Sequence, residues 1–167
     1  MVPPVVMAHD RVRELYMAHF GMLAGWASHL VGDHDLGHDL ATEAFVRLVQ
    51  HVDEVREPRA WLYATTGNLV RDHWRKRGRE DAAYQRYQGV RVDPDVAAPG
   101  PDHAQVMSVR EALKLLPDRQ RMAVLLHYFA DLTVAQVARE LGRAEGTVKR
   151  DLYDARARLA PVLESAR

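Results

Sequence analysis

Cationic side chains gather in two places along the 167-residue chain. Arg71, Arg75, Lys76, Arg77 and Arg79 crowd one short stretch, and Lys149, Arg150, Arg156 and Arg158 crowd another. Guanidinium and ammonium groups at such density neutralise phosphates, so each cluster is a candidate contact with a nucleic-acid backbone. Asn68, just ahead of the first cluster, adds an amide that can hydrogen-bond base edges or sugar. Acids gather on the amino-terminal side, at Asp33, Asp35, Asp39, Asp53, Glu54 and Glu57. With 23 basic and 23 acidic residues the chain is neutral overall, and the signal lies in where the charges sit. Two separated basic patches and an acidic face suggest one protein with two different partners.

Other chemistries find less support. His34 and His38 are four residues apart among Asp33, Asp35 and Asp39, a spacing that on a helix could place two imidazoles on one metal. Gly32 and Gly37 loosen this stretch, however, and no glutamate follows the first histidine as a metalloprotease pattern requires. The absence of cysteine excludes disulfides, thiolate zinc sites and cysteine nucleophiles. No glycine loop suited to cradling phosphate and no nucleophile–base arrangement is present, so neither an enzyme nor a cofactor is expected. No apolar run approaches the roughly 20 residues of a membrane span, and Met1 to Asp10 does not read as a secretory signal. The expected compartment is the cytoplasm, without membrane insertion.

These residues must be positioned by helices, because apolar side chains recur at helical spacing and no useful length of strand alternation occurs. One helix is expected over Val12–Val31 (Leu15, Met22, Leu23, Trp26, Leu30), closed by Gly32, and a second over Leu36–Val52 (Leu40, Ala44, Val46, Leu48, Val52). A loop from Val52 leads to Pro58, which suits the first turn of a third helix continuing from Ala60 to Arg77. Trp61 falls in that helix's apolar stripe and reads as core, whereas Trp74, beside cations, reads equally as core or as a stacking platform. From Gly78 to His103 periodicity gives way to Asp, Pro and Gly, the composition of a flexible linker. Helical spacing resumes near Val106, breaks at Pro117, and returns over Arg119–Phe129, Thr133–Leu141 and Gly146–Leu163. The expected fold is all-α, with two small helical domains on a flexible linker. Domains of this size are marginal alone, which favours a large partner.

The last two helices have the spacing of a helix-turn-helix. Thr133 caps the first, Gly142 permits a tight turn, and small Ala138 allows close approach. Val148, Leu152, Ala155 and Leu159 form the inner face of the second, leaving Lys149, Arg150, Tyr153 and Asp154 free for a major groove. An ordinary helical hairpin with a solvated charged face is the alternative, but capping, turn glycine and basic outer face agree on the helix-turn-helix.

The runs Leu116-Pro117-Asp118-Arg119-Gln120-Arg121, Leu132-Thr133-Val134-Ala135-Gln136-Val137-Ala138 and Gly146-Thr147-Val148-Lys149 together resemble region 4 of sigma factors. The resemblance implies that Thr147, Lys149, Arg150, Tyr153 and Asp154 read the minus-35 promoter element. Asp151 and Asp154 stand where that family usually has arginine; an exposed carboxylate repels phosphate but can accept from a cytosine amino group. Asp39-Leu40, followed by Glu43, Phe45 and Arg47, resembles the polymerase-binding helix of sigma region 2, with Thr42 in place of the usual glutamine. Pro58-Arg59-Ala60-Trp61-Leu62-Tyr63, then Asn68-Leu69 and Asp72, resembles the helix that reads the melted minus-10 strand. That resemblance assigns minus-10 contact to Asn68, Arg71, Asp72, Arg75 and Lys76, with Gly67 where family members commonly carry arginine. Melted DNA offers unstacked bases, and a pocket in the Val52–Pro58 loop could capture one.

The order of these motifs, with a linker and no intervening domain, is similar to the small extracytoplasmic-function (ECF) sigma factors. The resemblance implies region 2 over 1–80, a linker over 81–104 and region 4 over 105–167. Implied partners are core RNA polymerase, through its largest-subunit coiled coil and flap region, promoter DNA and an anti-sigma factor. The rival is an autonomous helix-turn-helix regulator with a helical sensor domain, which would bind duplex DNA alone, usually as a dimer. The Arg71–Arg79 basic stretch speaks against it, since a sensor has no need of one.

Overall fold

A computed structural model describes residues 1, 4–87 and 109–165. The fold is all-α, with no strand among the described residues. Helix α1 (Pro4–Val31) turns at Gly32, which takes a positive φ of 72°, into α2 (His34–His51). Asp33 caps α2, its carboxylate accepting from the Leu36 amide at 3.0 Å. Helix α3 (Pro58–Tyr87) follows the expected loop, and α1, α2 and α3 pack around Leu23, Leu30, Ala41, Leu48, Leu62 and Val70.

The second bundle holds α4 (Val109–Lys114), α5 (Asp118–Val124), a π-turn (Leu125–Phe129), α6 (Val134–Leu141) and α7 (Glu145–Ser165). Thr133 and Gln136 form a reciprocal capping box at the start of α6, and Gly142 ends that helix in the left-handed conformation at φ 62°. The buried faces of α5, the π-turn, α6 and α7 meet at Met122, Leu125, Val137, Val148 and Leu152.

Three elements depart from expectation. Helix α1 begins at Pro4, eight residues before Val12, in a stretch where Val6 and Met7 are exposed and no apolar stripe forms. Its early turns are tied down by Arg11, whose guanidinium donates to the carbonyls of Val52 and Val55 at 3.1 and 3.3 Å. Helix α3 runs ten residues past Arg77 to Tyr87, fully exposed from Arg75 onward. A helix with no buried face is invisible to hydrophobic periodicity and is sustained by local propensity and pairs such as Lys76–Glu80. The stretch expected as one helix to Phe129 changes at Leu125 into the π-turn. Linker residues from 88 onward and the start at Val106 lie outside the described residues.

The two bundles are not apart. Helix α3 packs against α1 and α2 on one side and against α5, the π-turn and α6 on the other, so one apolar core runs through both.

Candidate nucleic-acid interface

In the helix-turn-helix, Ala138 is buried at the crossing of α6 and α7, and Val148, Leu152 and Ala155 fix which face of α7 turns inward. Lys149, Arg150, Tyr153 and Arg156 are therefore turned outward, Tyr153 being 68% exposed. Spacings of four and three place Lys149, Tyr153 and Arg156 along one ridge, two cations about an aromatic ring. Arg156 Nη1 donates to the Tyr128 hydroxyl at 3.1 Å, which steadies the carboxy-terminal end of that ridge. Thr147 and Asp154 are half-buried at its margins.

Asp151, one of the two acidic replacements, does not lie on that ridge. Its side chain is only 12% exposed, with Oδ2 3.2 Å from Arg143 Nη1 and 3.7 Å from Arg119 Nη2. Two guanidiniums fix this carboxylate inside the bundle, where it braces the turn against α5 and presents no charge to a phosphate.

Along α3, Asn68 and Arg71 are half-buried and Asp72, Arg75 and Lys76 exposed. Arg71 Nε is buried, lies 3.6 Å from Asp72 and has no hydrogen-bond partner among the described residues. Arg75 is engaged, pairing with Asp118 of α5. Trp74 is core: only 9% is exposed, and the Arg121 guanidinium lies over its ring at 5.4 Å. No base can stack there in this conformation. Trp61 is half-buried against the core, as its stripe predicts.

The Val52–Pro58 loop borders a cavity of about 430 Å³ lined by His51, Glu54, Arg56 and Trp61 and, from the second bundle, Arg139 and Glu140. Burial pushes the Glu140 carboxyl up from its ordinary value, with Arg139 opposing. Glu57 at the loop's end pairs with Arg139 and accepts from Gln136 Nε2 at 3.5 Å. This roof of α6 residues was not legible beforehand, since charge alone does not say which distant helix answers Glu57.

On α2, Asp39, Glu43 and Arg47 line an exposed face, with Glu43 and Arg47 paired at 2.9 Å. Leu40 is half-buried. Phe45 corrects its place in this set: it is 5% exposed, packed edge-on to Tyr16 at 5.3 Å, and holds α2 to α1. Val46, expected in the core, is instead half-exposed beside Glu43 and Arg47, as is Val49. The face therefore mixes charge with apolar surface. His34 and His38 stack at 4.3 Å, and no cluster of three metal-ligating side chains occurs among the described residues.

Residues 15–80 match the Sigma-70 region 2 family and residues 107–159 the Sigma-70 region 4 family. The chain is 31% identical over 151 residues to the ECF RNA polymerase sigma factor SigL of Mycobacterium tuberculosis, covering 85% of this chain and 82% of that one. It is 32% identical over 165 residues to the RNA polymerase sigma-E factor of Streptomyces avermitilis, covering 95% and 90%. Among solved structures, the Bartonella quintana sigma factor RpoE, crystallised with the anti-sigma factor NepR, superimposes with a TM-score of 0.63 at 26% identity, covering 93% of this chain and 98% of that one.

Proposed function

The chain belongs to the ECF sigma factors of the sigma-70 family, transcription initiation factors that give RNA polymerase its promoter specificity, and from that membership we infer how its surfaces divide the work. Residues 1–80 serve as region 2, with α3 continuing as helix through 81–87 into the segment that joins it to region 4 at 105–167. Thr147, Lys149, Arg150, Tyr153 and Asp154 meet the minus-35 duplex, the cations on phosphates and the tyrosine and carboxylate at base edges. Asn68, Arg71, Asp72, Arg75 and Lys76 meet the melted minus-10 strand, and the cavity beside the Val52–Pro58 loop takes an unstacked base. Asp39, Leu40, Glu43 and Arg47, with Val46 and Val49, bind the coiled coil of the polymerase's largest subunit. Region 4 docks on the flap.

No step is catalysed by this chain. Polymerase does the chemistry, in the cytoplasm, while the sigma factor positions the start site and favours strand opening by binding the melted strand better than the duplex. An anti-sigma protein covering the polymerase-binding face is the expected inhibitor, in line with the NepR-bound relative.

The observation that carries this reading is the outward ridge of Lys149, Tyr153 and Arg156 on a properly capped helix-turn-helix, with a second cationic helix elsewhere on the same chain. Reconstitution with bacterial core polymerase on a promoter library tests it. Specific initiation is the expected result. No initiation, with protection of an operator by the chain alone, would instead identify an autonomous regulator.

A further inference from the structure

Between α5 and the helix-turn-helix the backbone leaves the α-helix for one wide turn, at a cost in burial. The Ala130 amide reaches back to the Leu125 carbonyl and the Leu132 amide to that of Leu126, both at 3.0 Å. In an unbroken helix Phe129, one turn after Leu125, would share its inward face. Leu125 is fully buried, yet Phe129 is 42% exposed. A distortion of this kind persists only where its surroundings hold it, and π-turns are frequent at functional sites.

What the turn sets in place is Tyr128. His127 is anchored by Nδ1, which donates to the Leu132 carbonyl at 2.7 Å, and its ring meets that of Tyr128 edge-on at 4.8 Å. The Tyr128 hydroxyl stands beside the outer ridge of α7, where it accepts from Arg156 Nη1 at 3.1 Å. A phenol that accepts a hydrogen bond keeps its own hydrogen, and a guanidinium with one N–H engaged has others to give. The partner of Arg156 here is neutral, so its charge is not cancelled. One anionic oxygen group can therefore receive a hydrogen bond from each side chain.

Position says which anion this is. In a helix-turn-helix seated in the major groove, the first residues of the second helix meet base edges. Arg156 follows Lys149 by two turns on the same line of α7, about 10 Å along the axis, on the order of the width of the groove. Tyr128 reaches the ridge from a different element, beside α7. Both side chains belong at the edge of the groove, where DNA presents phosphate.

We propose that Tyr128 and Arg156 form a two-armed seat for a single backbone phosphate at the edge of the minus-35 groove, with the π-turn as the feature that brings the phenol to it. Arg156 supplies the charge. Tyr128 adds a neutral hydrogen bond and acts as a positioning residue, holding a long side chain in one geometry so that less freedom is lost on binding. The seat rests on the minus-35 reading of α7 and extends it to a residue outside the helix-turn-helix.

The test is binding of the reconstituted holoenzyme to a promoter it selects, with minus-35 phosphates replaced one at a time by uncharged methylphosphonates. Arg156→Ala should weaken binding to the unmodified promoter about tenfold, and Tyr128→Phe, which keeps the ring and loses only the hydroxyl, about threefold. Thermal melts of both should match the parent. At one backbone position the methylphosphonate penalty seen with the parent should vanish in Arg156→Ala and shrink about threefold in Tyr128→Phe, with penalties at the other positions unchanged. Parental binding by Tyr128→Phe, or a loss spread evenly over all positions as a merely structural role would give, overturns the seat. Lys149→Ala separates the two readings. Weakened binding in Lys149→Ala with none in Tyr128→Phe removes the seat and leaves the minus-35 reading standing; parental binding in both Lys149→Ala and Arg156→Ala removes the minus-35 reading as well.

Discussion

Lys149 and Asn68 stand for the two kinds of contact proposed for this chain. Lys149 is an exposed point charge on the α7 ridge, suited to a phosphate. Lys149→Ala should weaken minus-35 duplex binding nearly equally across sequences and reduce the steepness of its salt dependence by about one unit of log K per log salt, read from anisotropy titrations. Asn68 has no formal charge and can act only on groups within hydrogen-bond reach. Asn68→Ala should leave initial docking of the holoenzyme unchanged and reduce promoter opening, measured by permanganate reactivity of the minus-10 strand. Asp151 differs from both, because its carboxylate is enclosed by Arg143 and Arg119. Asp151→Ala leaves the mostly buried Arg143 without its counter-charge and should cost about 1–3 kcal/mol in urea unfolding. Its helix position alone did not reveal this, because position within α7 says which neighbours are near in sequence and nothing about arginines 8 and 32 residues away.

Caps and turns carry the elements. Thr133 and Gln136 satisfy the first amides of α6 reciprocally, and Thr133→Ala should lower stability by about 1 kcal/mol in thermal melts, with minus-35 binding weakened in proportion. Two half-buried histidines set an acid limit. His19 on α1 is held below its ordinary value by burial and by Arg59; His73 on α3 is lowered by burial and by Arg77, Lys76 and Lys114, with Glu80 opposing. With folded values depressed below 6.5, the unfolded chain binds more protons, so stability is complete above that pH and declines as pH falls through the lowered values. The melting temperature should therefore drop on acidification below about pH 6.5, and His19→Gln with His73→Gln should flatten the drop. The helix order, the Gly32 and Gly142 stops, the Thr133 start and Pro58 were legible, because each rests on groups within a few residues. The exposed first turns of α1 and last turns of α3 were not, because a stripe pattern requires a buried face.

For the whole molecule the decisive fact is that α3 belongs to both bundles, so one apolar core is shared. The chain should unfold in urea as a single transition by circular dichroism and tryptophan fluorescence alike. Gly67→Arg, which sets a side chain against Met122 and Leu126 of the second bundle, should separate it into two. By itself the sequence determined the all-α fold, two helical units and the outward cationic ridges, because periodicity and caps act locally along each helix. Only tertiary structure decided that Phe45 and Trp74 are core, that Asp151 is a brace, that Val46 faces solvent and that Gly67 admits the second bundle. Those outcomes depend on which surfaces meet across long sequence separations, and complementarity of shape and charge between helices leaves no periodic mark in either one.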